Sequence, residues 1–174
     1  IDPSGRVEIE FKFQHAGSFV EGLAPVDVAG RSGYIDRKGR LAIDSIYEGG
    51  IEFYDGRAAV KMAGRWGFID GRGNLVVKCQ YDRVSAYACG LVHVVQKNEH
   101  LLLDKQGRTV RNLGRNYCDN FSEGLGWMMP GELVDGRLTG DASFVDEKGD
   151  VVIRADSFII LRNFSEGVAP ARFP

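Results

Sequence analysis

Three landmarks recur in phase along this chain, and a repeat of that kind restricts the fold more than any other sequence property. The first is an aromatic three residues ahead of a glycine, usually with an acid between them. It occurs as Phe19-Val20-Glu21-Gly22, Phe53-Tyr54-Asp55-Gly56, Tyr87-Ala88-Cys89-Gly90, Phe121-Ser122-Glu123-Gly124 and Phe164-Ser165-Glu166-Gly167. Three steps of 34 residues are followed by one of 43. The second landmark, Asp-x-x-Gly, runs from Asp2, Asp36, Asp70, Asp104 and Asp146. The third is an aromatic six places before the first, at Phe13, Tyr47, Tyr81 and Phe158; Arg115 breaks that series, and Tyr117 is read as its substitute.

Each unit reads as three short strands. The alternating run Leu23-Ala24-Pro25-Val26-Asp27-Val28 precedes a turn at residues 29–33, and then Tyr34-Ile35-Asp36. Asp36-Arg37-Lys38-Gly39 has the chemistry of a type I turn, in which the aspartate caps the backbone and the glycine adopts the left-handed conformation of a G1 bulge. A third strand follows at Arg40–Ile43, with counterparts at Asn74–Val77 and Asp150–Ile153. No segment sustains a 3.6-residue period, so the domain is expected to be all-β. The 23 glycines beside only 5 prolines fit many tight turns.

The unit resembles the WG-repeat family, whose pattern is an aromatic-x-Glu-Gly-Leu-Ala-x-Val run, then Gly-x-Trp-Gly-Tyr-Ile-Asp, then a turn and an aliphatic strand. Gly64-Arg65-Trp66-Gly67-Phe68-Ile69-Asp70 matches the middle part closely, and Gly30-Arg31-Ser32-Gly33-Tyr34-Ile35-Asp36 lacks only the tryptophan. His100-Leu101 and Ala142-Ser143 stand at that pair in later copies. The resemblance implies a repeat scaffold that mediates interactions.

The expected organisation is therefore one repeat domain, 1–174. It comprises a partial unit 1–18, units 19–52, 53–86, 87–120 and 121–163, and a partial unit 164–174. Copies touching only their neighbours would form an open, twisted superhelix, which is the expected shape. The alternative is a closed five-unit propeller-like ring, because the two partial ends would together complete a unit. A chain that begins mid-pattern at Ile1 is expected to be a piece of a larger protein.

Composition narrows the partners. A net charge of −2, with 22 basic and 24 acidic residues interspersed, lacks the basic surplus of a nucleic-acid binder. No apolar run approaches ~18 residues, so no membrane span is expected. Cys79, Cys89 and Cys118 form no CxxC pair and no zinc spacing. Neither a metal nor a cofactor is expected.

No catalytic residue is nominated. Aspartates and glutamates present in every copy serve turns, because a catalytic group occurs once. His15, His93 and His100 share no phase. Trp66 is read as a plug of the hairpin core. Ala24 and Val26 align with Ala58 and Val60 as core positions, while Pro25, Ala59, His93, Trp127 and Pro170 share the opposite face, which varies as a surface position does. The binding candidates are Trp127, Met129, Leu133 and Arg137, in or just before an inserted loop at 130–140, because insertions in repeats map to loops on the binding side, together with His93 on the same mixed apolar and polar face. The expected role is a non-catalytic scaffold for a protein partner. A small-molecule or glycan binding module and a structural spacer are the alternatives, and exposed strand edges leave self-association open.

Overall fold

The computed structural model describes residues 9, 13–129, 133–134, 137–138, 143–154, 159–160 and 171–172. These residues carry strands and turns with no helix, so none is long and apolar enough to cross a membrane. The chain divides into two compact units, Ile1–Gln80 and Tyr81–Pro174.

Among the described residues the repeat forms four open, four-stranded antiparallel sheets. The first contains β1 (His15–Ala16), β2 (Leu23–Val28), β3 (Arg31–Asp36) and β4 (Leu41–Tyr47) in that order. The second contains β5 (Gly49–Gly50), β6 (Ala58–Met62), β7 (Arg65–Ile69) and β8 (Leu75–Tyr81). The third contains β9 (Arg83–Val84), β10 (Leu91–Gln96), β11 (Glu99–Asp104) and β12 (Thr109–Gly114). In the fourth, β13 (Tyr117–Ser122) and β14 (Leu125–Met129) pair with β17 (Ser143–Val145) and β18 (Val151–Arg154). Between them lies a two-stranded ribbon of β15 (Leu133–Val134) and β16 (Arg137–Leu138). The three strands expected per unit are all present. A fourth strand, only two residues long in the first three sheets, pairs along the opposite edge of each sheet from the third expected strand, as in His15↔Asp27 and Ala16↔Val26.

Turn chemistry explains the punctuation. Asp36 Oδ1 accepts from Lys38 N at 2.8 Å and Arg40 N at 3.0 Å, and Gly39 N donates to Asp36 O at 2.9 Å. The same bonds recur at Asp70, Asp104 and Asp146, and the glycine takes φ +72° at Gly39. Bonding to the ionised side chain holds the Asp36, Asp70 and Asp104 carboxyls below the usual range. The acid-glycine pair is also a turn. Glu21 and Gly22 both have positive φ, with Val20 and Leu23 bonded to each other across them, as a type I′ turn requires. Glu21 additionally accepts from Gly56 N in the next copy at 2.9 Å.

A second two-residue turn joins the middle strands, at Ala29-Gly30, Ala63-Gly64 and Lys97-Asn98. The polar residue after the third-landmark aromatic caps it. Gln14 accepts from Gly30 N, Glu48 from Gly64 N and Asp82 from Lys97 N, at 3.0, 2.9 and 2.8 Å.

The core sits between successive sheets of each unit. In the first unit Tyr34, Ile43, Tyr47, Phe53, Val60 and Ile69 form a buried cluster; in the second, Leu91, Leu102, Leu113, Cys118, Phe121 and Val145 do. Three sequence expectations need correction here. Leu113, not Tyr117, fills the place left by Arg115, and Tyr117 stays 39% exposed. Trp66 is half-buried rather than plugging the core; it lies opposite Lys61, whose ammonium stands 5.9 Å from the ring centre. The supposed surface position is buried at Pro25, Ala59 and His93, because both faces of the second strand are covered. All three cysteines are free.

Candidate functional site

In the third sheet, the hairpin of β10 and β11 pairs Gln96 with Glu99 and Val95 with His100 across the Lys97-Asn98 turn. Residues 93 and 95 share a strand face, so His93 and His100 become diagonal neighbours on it. His93 Nε2 lies 2.9 Å from His100 Nδ1, one donating and the other accepting. The rings stack with centroids 4.9 Å apart and planes inclined by 29°. Tyr117, from β13, closes the group edge-on to both rings. Below them Ser85 Oγ donates to His93 O at 3.2 Å and accepts from His93 N at 3.3 Å.

His93, Ser85 and Tyr117 line a cleft of about 250 Å³ together with Arg83, Val84 and Val95, with His100 stacked behind His93. Arg83 is exposed, and Val84 and Val95 supply apolar wall. His93 is only 4% exposed, so its imidazole is part of the floor. Burial, aided by the Arg83 charge, lowers the proton affinity of His100 below that of an ordinary histidine.

That shift has a measurable consequence. In the unfolded chain His100 takes up a proton near the ordinary value of ~6.5, whereas the folded chain resists protonation until lower pH. Folding stability is therefore unaffected by this group above that value and falls as pH drops below it. Urea midpoints are expected to hold level down to about pH 6.5 and decline from there to about pH 5, and His100→Gln is expected to flatten that decline. An unchanged slope in the variant would show that His100 does not carry it. The depressed aspartates act only at lower pH and do not confuse this window.

The other candidates fall elsewhere. Trp127 is half-buried on β14, opposite Phe144 and Asp119; its Nε1–H is buried and has no hydrogen-bond partner among the described residues. Met129 is half-buried at the end of β14 opposite Tyr117, while Met128 packs against the second unit's core. Leu133 and Arg137 lie on the ribbon, paired in backbone register with Leu138 and Val134. Residues 130–132, 135–136 and 139–142 of the insertion and its flank lie outside the described residues. Thus His93 is joined to His100 and Tyr117, two residues the sequence reading did not nominate. The two-residue turn at Lys97-Asn98, once recognised, would have revealed the histidine pair through hairpin register. Among the described residues no group of three or more His, Cys, Asp or Glu is placed to hold a metal.

Comparison with known proteins gives a repeat match. The family described as WG containing repeat matches three consecutive segments, 1–31, 33–66 and 66–99, together more than half of the chain. No curated protein matches it. Among solved structures it is similar to a protein of unknown function from Bacteroides caccae, at 16% identity and a TM-score of 0.39. That similarity covers 82% of this chain and 66% of the other, so this chain spans just under two thirds of that protein's length.

Proposed function

We propose that this chain, which belongs to the WG-containing repeat family, is a non-catalytic scaffold whose outer strands bind an extended segment of a partner protein. The observation that supports this reading is a repeated apolar position on the outermost strand of the sheets. Leu41, Leu75 and Val151 each stand five residues after the turn aspartate and are 45, 49 and 39% exposed. In the third sheet the position is Thr109, and the adjacent Val110 is exposed. Single exposed apolar residues are ordinary on a protein surface. A large one at the same place in three of four copies is not scatter, because exposure costs nothing to remove by mutation in each copy separately.

These strands end their sheets, so each carries backbone donors and acceptors on the side away from its neighbour. An extended segment can add to such an edge, with main-chain bonds giving affinity and side-chain contacts giving specificity. The apolar position supplies the latter. Short peptides selected from a random display library against the chain are expected to bind the triple variant Leu41→Lys, Leu75→Lys, Val151→Lys about tenfold or more weakly, a difference of ~1.4 kcal/mol. Selected peptides that bind both chains equally would refute the edge-strand reading. Failure to select any binder would favour a spacer.

A further inference from the structure

We propose that the cleft between Arg83, Ser85, His93 and Tyr117 is a binding site for a small aromatic monocarboxylate. The inference does not rest on the outer-strand reading, since it concerns the short inner edge of the third sheet. Its argument comes from the repeat itself, which provides an internal comparison. The first sheet has a cleft at the equivalent place, about 240 Å³, lined by His15, Gly17, Pro25, Asp27 and Glu52 among others. The fold therefore makes the cleft, and the residues decide its chemistry.

Those residues change in a concerted way. Sixty-eight residues on, Arg83 replaces His15, Ser85 replaces Gly17, His93 replaces Pro25 and Val95 replaces Asp27. The first cleft is bordered by two carboxylates; the third is bordered by a guanidinium with apolar and aromatic walls. Folding does not require the change, because Pro25 and Ala59 are buried at the position of His93 without any polar side chain. Burying an imidazole there carries a desolvation cost that the first two copies, with Pro25 and Ala59, avoid.

The ligand class follows from the lining. At just below the ~300–1,000 Å³ of drug-sized pockets, the cleft admits only a small molecule. The His93 imidazole in the floor and the Tyr117 ring edge-on to it form a corner suited to a flat ring. Arg83 offers forked donors that match a carboxylate. The depressed proton affinity of His100 leaves Arg83 the main positive charge at neutral pH, which favours one carboxylate over two.

Backbone amide NMR on the 174-residue chain, with benzoate and its neutral isostere benzamide as probes, tests this. Benzoate is expected to shift the amides of Ser85, Val95 and Tyr117 saturably, with benzamide at least about tenfold weaker. Arg83→Gln is expected to reduce benzoate to the benzamide level. His93→Ala is expected to weaken both probes and, because it empties a buried ring position, to lower the thermal midpoint as well. The proposal is overturned if the two probes bind alike, if Arg83→Gln leaves benzoate binding unchanged, or if neither probe moves these amides at about 10 mM, far weaker than ordinary small-ligand affinities. Because Arg83 is exposed, its variant decides the matter even if His93→Ala fails to fold.

Discussion

Replacing Gly67 by valine is expected to destabilise the first unit by about 3 kcal/mol, the upper end of the usual range for overpacking. This glycine is the second residue of the tryptophan-glycine pair. A Cβ built on it would stand 2.5 Å from Val77 O, 2.7 Å from Cys79 N and 2.8 Å from Lys78 C. All three are backbone atoms of β8, so no side chain can rotate aside, and relief requires β7 and β8 to separate. Gly33 faces the same obstruction from Ile43 O and the Ser45 backbone at 2.7–2.8 Å. Gly64→Ala is the control. That glycine has φ +72° with open space around its missing Cβ, so the substitution should cost only the left-handed strain of about 1–2 kcal/mol. Urea unfolding of the two variants measures the difference. Equal losses would mean that close backbone approach is not what the glycine serves.

The third sheet shows how the chain accommodates a side chain at this place. Leu101 occupies it, and the pairing shifts so that His100 faces Gly114 and Leu101 faces Asn112. In the first sheet the corresponding pairing is Ser32 with Tyr47, one residue farther along. Gly114, with φ +63°, absorbs the difference.

Tyr34→Ala is expected to cost about 3–5 kcal/mol, the range for removing a large buried ring. Tyr34 has no exposed surface, and its ring meets Phe53 edge-on at 5.1 Å. Its hydroxyl donates to Ile51 O at 2.9 Å, tying the first sheet to the chain that enters the second. A Cβ on Gly50 would approach that hydroxyl to 2.7 Å, so the glycine makes room for the bond. Burial raises the phenol far above its ordinary ionisation range. Tyr34→Phe keeps the ring and removes the bond, leaving the Ile51 carbonyl short of a donor at about 1–3 kcal/mol. Denaturant unfolding of both variants separates packing from hydrogen bonding; a Phe variant as stable as the parent would show that water replaces the lost donor.

The repeat period, the all-β class and the aspartate turns were legible in the sequence. Asp36, Asp70, Asp104 and Asp146 bond to backbone within four residues of themselves, so their role depends on little beyond local spacing. The short first strands were not legible. His15–Ala16, Gly49–Gly50 and Arg83–Val84 are too brief to display a two-residue period, and their pairing comes from strands several residues later. Trp66 and Tyr117 were misplaced for a related reason: an aromatic is apolar wherever it lies, and only its neighbours decide whether it is covered.

By itself, then, the sequence determined where the chain turns and how often, because positive φ, side-chain caps and alternation act over a few residues. The His93–His100 pair follows from the local turn at Lys97-Asn98, but tertiary structure alone decided that His93 is buried and that Tyr117 closes over both rings. Those outcomes depend on a strand contributed from farther along the chain, and alternation along one strand carries no information about it. It cannot distinguish a face open to water from one covered by another part of the chain.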